Sequence, residues 1–336
     1  MNTHNSYQST QNPDSIRLVL EPVASADSDW YQDEPDEHWV VYTGSEQTGH
    51  CSLWWRNTPN FQGHRVGMVG HFSAADELTA SRLLAKAEER LAIQSCTFVV
   101  GPMDGSTWKT YRAVTWRGAN PQFFLEPDIT EPTAKWFRDN GYRSIANYYS
   151  CESSTLIEEK EKLAVLSSRF ARQGVTVRAI DFQDYDKELS RIYSVCNEAF
   201  RNGFLYSPLD KSVFKALYQP IKRWATPELI LLAEREGETI GFLFAIPDLS
   251  QLQRGQPIDT VIYKTLAVRP EYSGRGLGIW LIAQGYRTAQ ERGYHRVIHA
   301  FMHADNVSLK MSRHRYKAKI IREYALFGKE TRHEPV

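Results

Sequence analysis

The chain has 336 residues, a length suited to two domains. Forty Lys and Arg residues balance forty Asp and Glu, and 42% hydrophobic with 24% charged content is ordinary for a globular protein. That balance excludes wholesale disorder and a broad basic footprint for nucleic acid, but leaves room for a local anion site.

No apolar run approaches the ~20 residues of a membrane span, and Met1–Asp14 is polar, without the apolar stretch of a secretory signal. Residues 1–14 are expected to be a disordered tail. The four cysteines (Cys51, Cys96, Cys151, Cys196) lie far apart with no C-x-x-C pair. They read as buried thiols of a cytoplasmic protein, with neither a metal site nor a disulfide frame.

Taken in order, Ser15–Val23 reads as a strand, and His38–Tyr42 with Cys51–Arg56 as a hairpin. His64–Phe72 is a further strand. Ser73-x-x-Asp76 resembles a capping box for a helix to Ile93, with its apolar stripe on Ala80, Leu84, Ala87 and Leu91. Cys96–Val100 is a short strand, Thr107–Val114 and Pro132–Asn140 are helical turns, and Tyr142–Cys151 returns as a strand. A charged helical stretch closes at Gly174 and marks the boundary: domain one is 15–152, a linker helix 153–174, domain two 175–330. The second domain opens on strand Val175–Ile180. Helices Tyr185–Phe200 and Leu209–Trp224 follow, then hairpin Leu229–Glu234 with Thr239–Ile246 and strand Asp259–Val268. Helix Leu277–Arg292, strand Val297–Met302, helix Asn306–His314 and strand Ile321–Phe327 complete it. The halves share this order, and Val69 to Phe98 spans the same 29 positions as Val268 to Val297, which reads as an internal duplication.

The strongest signal is Val268-Arg-Pro-Glu-Tyr-Ser-Gly274-Arg275-Gly276-Leu277-Gly278, between a strand and a helix. Alternate glycines let the backbone fold around an anion, and the helix start adds unpaired N–H groups and a positive dipole end. Lys-Ser/Thr is missing, so this is not a P-loop. Leu281 stands where a dinucleotide fingerprint needs its third glycine.

This segment resembles the GNAT (GCN5-related N-acetyltransferase) superfamily, whose turn reads [RQ]-x-x-G-x-[GA] after a strand ending in V-x-P. Here Ser273 holds the first position, and the resemblance covers roughly 175–330. It implies an α/β fold with two tandem domains, each a mixed, mostly antiparallel sheet flanked by helices. It also implies acetyl-CoA as co-substrate, with no metal. Gly274, Arg275, Gly276, Leu277, Gly278 and Ile279 would hold the pyrophosphate, while Leu266, Ala267, Val268 and Asn306 would meet the pantetheine arm. In the first half the three glycines fall on Ala75, Glu77 and Thr79. Glu77 and Asp76 would repel a pyrophosphate, so that half reads as a degenerate copy.

Catalysis is less legible. On the parity of Leu266 the strand offers Lys264 and Ile262, with no carboxylate. His303 is the candidate base, with His299 one strand repeat deeper as its structural counterpart. Tyr324 is a candidate acid toward sulfur or a core aromatic, and Glu198 a candidate base or a solvated residue. Tyr206 and Asp248 are candidate acceptor contacts. Lys310, Arg313 and Arg315 are candidate ligands of the CoA 3′-phosphate, and the turn Gly101–Trp108 a candidate cleft wall. The expected activity is acetyl transfer to the amine of a small molecule by direct attack in a ternary complex, in a monomer or homodimer. Acyl-CoA binding without catalysis, or transfer to a protein or aminoacyl acceptor, are the other classes.

Overall fold

The computed structural model describes residues 16–21, 33–154 and 160–331, so the expected tail at 1–14 lies outside the described residues. The chain divides into two compact units, one of residues 1–112, 132–145 and 326–336, the other of 113–131 and 146–325.

In the first unit β1 (Ile16–Glu21), β2 (Glu37–Thr43), β3 (Glu46–Trp54) and β5 (His64–Ala74) pair antiparallel in that order, with the short β4 (Asn60–Phe61) folded onto β5. The helix α1 (Glu77–Ile93) then crosses to β6 (Phe98–Gly101), parallel to β5. Its buried stripe is Ala80, Leu83, Leu84, Ala87 and Leu91, the spacing of one helical face. Ser73 lies within β5. The cap is Asp76, whose carboxylate accepts the Thr79 N–H at 2.7 Å.

Residues 107–110 are turn and bend rather than helix, Tyr111 forms an antiparallel bridge with Met103, and β7 (Ala113–Arg117) follows. Its Val-Thr-Trp run favours extended backbone, and it pairs antiparallel with residues Arg322–Ala325 in the second unit. Next in the chain are α2 (Glu131–Asp139), β8 (Arg143–Ser153) and α3 (Lys160–Arg172). Part of the expected linker helix, 155–159, lies outside the described residues. α3 itself belongs to the second unit, its Phe170 ring stacked on Trp280 at 4.8 Å.

The second unit continues with β9 (Val175–Ala179), α4 (Tyr185–Ala199), α5 (Lys211–Tyr218), β10 (Ile230–Arg235), β11 (Glu238–Pro247), α6 (Ser250–Gln253), β12 (Thr260–Val268), α7 (Leu277–Glu291), β13 (Arg296–His303), α8 (Val307–His314) and β14 (Lys319–Glu330). α5 stops early because Pro220 turns the chain into a short 3-10 helix, Gln219–Arg223. β9, β10, β11 and β12 pair antiparallel in order, and β13 is parallel to β12 across the α7 crossover. This repeats the β2-β3-β5-α1-β6 order of the first unit, and both units are mixed α/β sheets.

The closing strands are exchanged relative to the sequence reading. Residues 148–153 of β8 pair with β13 in the second unit, and residues 327–330 of β14 pair with β6 in the first. The contact division therefore departs from boundaries at 152 and 175. Strand partners are distant in sequence, and two closing strands of one repeat carry similar alternation, so the pattern does not say which neighbour each takes. Among the described residues no helix is long and apolar enough to cross a membrane, and all four cysteines are free and buried.

Candidate functional site

β12 and β13 pair from Thr260↔Arg296 only as far as Tyr263↔His299 and then diverge. Two irregularities produce the divergence. In β13 the pairing to β8 shifts between His299 and Met302, where Phe301 takes a left-handed φ of 58°. In β12 the register to β11 jumps from Phe244↔Thr265 to Ala245↔Tyr263, so Lys264 is an extra, bulged residue. Beyond Tyr263, β12 is paired to β11 alone, and its other edge faces the opening. Extended chain laid there can use those backbone groups as a strand would.

The glycine turn lies at the end of that edge. Gly274 and Gly276 have φ of 71° and 86°, open to glycine at no steric cost. Gly276 is the N-cap of α7 and offers no side-chain cap, so the first N–H groups of the helix are left for a ligand. A Cβ on Gly278 would meet Leu266 Cδ2 at 3.3 Å, so glycine there brings α7 close to β12. In the first unit the same place is filled: Asp76 caps α1 with its own carboxylate, satisfying an N–H and adding negative charge.

A cleft of about 1010 Å³ joins these features. Leu266, Ala267, Val268, Gly274, Gly276, Gly278, Ile279 and Asn306 all line it, as do Lys310 and Arg315. Arg275, Leu277 and Arg313 do not: Leu277 is in the core, and the Arg275 carbonyl accepts a hydrogen bond from Arg169 Nη2 on α3. Among the described residues no carboxylate lines the cleft, while Lys264, Lys310 and Arg315 do, a charge pattern suited to a polyanion. The uncapped N-terminus, the close approach at Gly278 and this basic lining fit the phosphates and arm of a CoA thioester.

The other expected site residues are engaged elsewhere. Tyr324 is buried; it donates to Glu126 Oε1 at 2.8 Å and sits behind Phe301, edge to face at 5.6 Å. Glu126 also holds the fully buried Arg322 at 2.9 Å. Asp248 is buried, accepts from Phe124 N at 2.8 Å and pairs with Arg254 at 3.3 Å, so it anchors loops rather than an amine. Glu198 is the counter-ion of Arg269 at 2.8 Å, and Tyr206 Oη donates to Asn197 at 3.4 Å; neither lines the cleft. His303 also lies outside the lining. Its Nδ1 accepts the Asp305 N–H at 3.2 Å, and its ring packs edge to face on Tyr148 at 5.1 Å. His299 is buried between Tyr286 Oη at 3.0 Å and Ser312 Oγ at 2.6 Å, and burial lowers its pKa to about 4. The turn Gly101–Trp108 packs on β5, where Asp104 accepts the His71 N–H at 2.6 Å.

Two polar residues of the cleft, Lys264 and Tyr263, stand in places that sequence alternation does not give them. Lys264 places its Nζ 5.0 Å above the Phe301 ring in the opening. Tyr263 shares the α7-facing side with Leu266 because the bulge inserts Lys264 between them. Its Oη is buried without a hydrogen-bond partner among the described residues, and burial raises its pKa well above 10. A period-2 reading puts Lys264 in that place. Among the described residues, one cluster has metal-ligating types, Asp33, His71 and Asp104 in the first unit, but Lys109 Nζ already sits 2.5 Å from Asp33.

A family model described as "Acetyltransferase (GNAT) family" matches residues 189–314. A protein of Caulobacter vibrioides named bacterial ceramide synthase is 21% identical over 194 residues, 56% of this chain and 50% of that protein. The chain thus spans about half the length of that curated relative. A GCN5-related N-acetyltransferase from Sphaerobacter thermophilus aligns over 88% of this chain and 81% of its own, with TM-score 0.50 and 14% identity. A tandem GNAT protein from the clavulanic acid biosynthesis pathway aligns over 95% of this chain and 100% of its own, with TM-score 0.50 and 12% identity.

Proposed function

From a chain that belongs to the GNAT superfamily, we propose an N-acyltransferase that moves the acyl group of acetyl-CoA to the amine of a small molecule. The observation that carries this reading is the divergence of β12 from β13 directly before an uncapped glycine N-terminus, in a cleft lined by cations and, among the described residues, by no carboxylate. Backbone N–H groups at 276–279 bind the diphosphate, and the free edge of Leu266–Val268 aligns the arm so that the thioester enters the opening. When bound, the thioester supplies the acyl group and a thiolate leaving group.

Lys264 holds an ammonium in the opening, where negative charge develops on the thioester oxygen, and stabilises it electrostatically. Tyr263 stays protonated because it is buried, and its unsatisfied hydroxyl donates a hydrogen bond to the leaving sulfur, which takes its proton from solvent on release as the free thiol. No base is assigned to the protein. Both nitrogens of His299 are engaged, and the cleft has no carboxylate among the described residues. The amine therefore attacks as the free base and passes its proton to water, so kcat/KM rises with pH up to the pKa of the amine. The buried free thiols suit a reducing cytoplasm. The test is release of free thiol from acetyl-CoA in the presence of a panel of small primary amines. Amine-dependent thiol release supports acyl transfer; CoA binding without it makes the chain a non-catalytic binder.

A further inference from the structure

A second cavity of about 30 Å³ lies in the second unit, between α4, α5 and the sheet. Its walls come from Ile192 and Cys196 of α4, Phe214 of α5, and Phe242 and Phe244 of β11, and among the described residues no charged side chain lines it. The Tyr185 hydroxyl at its wall is already satisfied by the Tyr218 carbonyl at 3.0 Å. A cavity of this kind stays dry and takes apolar ligands. The residue it has in common with the cleft is Thr265, on the strand edge where β12 has left β13.

We infer that this cavity receives the tail of the transferred acyl group, so that the preferred donor is an acyl-CoA several carbons longer than acetyl. The inference rests on the acyl-CoA reading above and extends its donor from acetyl-CoA to longer acyl-CoAs, with acetyl-CoA the shorter, weaker-binding donor. Chemistry and position both select this occupant. An amine acceptor would bring a polar or charged group into a pocket with nothing to pair it. An acyl tail attached at the opening starts beside Thr265, the wall the two cavities share, and reaches the second cavity by displacing that side chain. At 10–15 Å³ for each water-sized group, the volume holds two or three methylenes. Longer tails meet α5, an eight-residue helix whose one buried side chain is Phe214.

The experiment is calorimetric titration with CoA, acetyl-CoA and hexanoyl-CoA, on the wild-type chain and on Cys196→Met. Each buried methylene is worth about fourfold in affinity. Hexanoyl-CoA is therefore expected to bind roughly 15- to 60-fold tighter than acetyl-CoA. Cys196→Met fills the cavity with an adaptable side chain. It should remove that advantage while leaving acetyl-CoA affinity within twofold. Equal binding of acetyl- and hexanoyl-CoA by the wild type overturns the inference, whether or not the variant folds. So does an advantage that survives in Cys196→Met. Failure of CoA itself to bind defeats the acyl-CoA reading, a different outcome from CoA binding with no chain-length gain.

Discussion

Gly276 and Gly274 lie two residues apart, both at left-handed φ, and differ in surroundings. An added Cβ meets nothing within 4 Å at Gly274, whereas at Gly276 it comes to 3.0 Å from Arg169 Nη2. Gly274→Ala therefore isolates the conformational cost, about 1–2 kcal/mol for an L-residue held in that region. Gly276→Ala adds displacement of Arg169 from the Arg275 carbonyl, a hydrogen bond worth about 0.5–1.5 kcal/mol. In a unit of roughly 200 residues each kcal/mol moves Tm by about 2–4 °C. Gly274→Ala should then melt about 2–8 °C below wild type, and Gly276→Ala lower still. CoA separates them further. In the proposed reading Gly276 is the first position of the phosphate nest, so its alanine variant should bind CoA at least about tenfold more weakly, while Gly274→Ala stays within about threefold. Thermal melts with and without CoA, with calorimetry for the affinities, supply both readings. A Gly276→Ala protein that is destabilised yet binds CoA like wild type would refute the assignment of the nest.

Glu126→Gln leaves the buried Arg322 guanidinium without its counter-charge, and should cost about 3–5 kcal/mol by chemical denaturation. His299 has a folded pKa near 4, below the ordinary value of about 6.5. Its depressed folded pKa means that the unfolded chain takes up the proton first, so stability falls as pH drops from about 6.5 to about 4 and levels below that. At ~1.4 kcal/mol per pH unit that is up to about 3 kcal/mol, and a His299→Gln variant should show a correspondingly flatter melting profile over this window. Lys264→Met and Tyr263→Phe should each lower kcat by about 10²–10³-fold with CoA affinity little changed, measured by thiol release.

The glycine turn was legible because everything it needs is local: glycine spacing, a preceding strand and a following helix. The apolar stripe of α1 was legible for the same reason, and so was the difference between the halves, since Asp76 and Glu77 already stand where Gly276 needs an open helix end. Strand exchange was not legible, because β8 and β14 find partners more than a hundred residues away. The bulges were missed for a different reason. Alternation assumes an unbroken pleat and so puts Lys264 in the place on the Leu266 face that Tyr263 takes. Tyr324, Asp248 and Glu198 are chemically able residues whose partners, Glu126, the Phe124 N–H and Arg269, come from distant segments. Short-range pattern does not show that such a side chain is already occupied.

The most direct measurement is calorimetric titration of the whole chain with CoA, repeated on Gly276→Glu. The uncapped α7 and the self-capped α1 predict one site per chain, and no binding to the variant, whose carboxylate would stand in the phosphate nest. Two equivalent sites, or unchanged binding in Gly276→Glu, would contradict the placement of the cofactor at the glycine turn of the second unit.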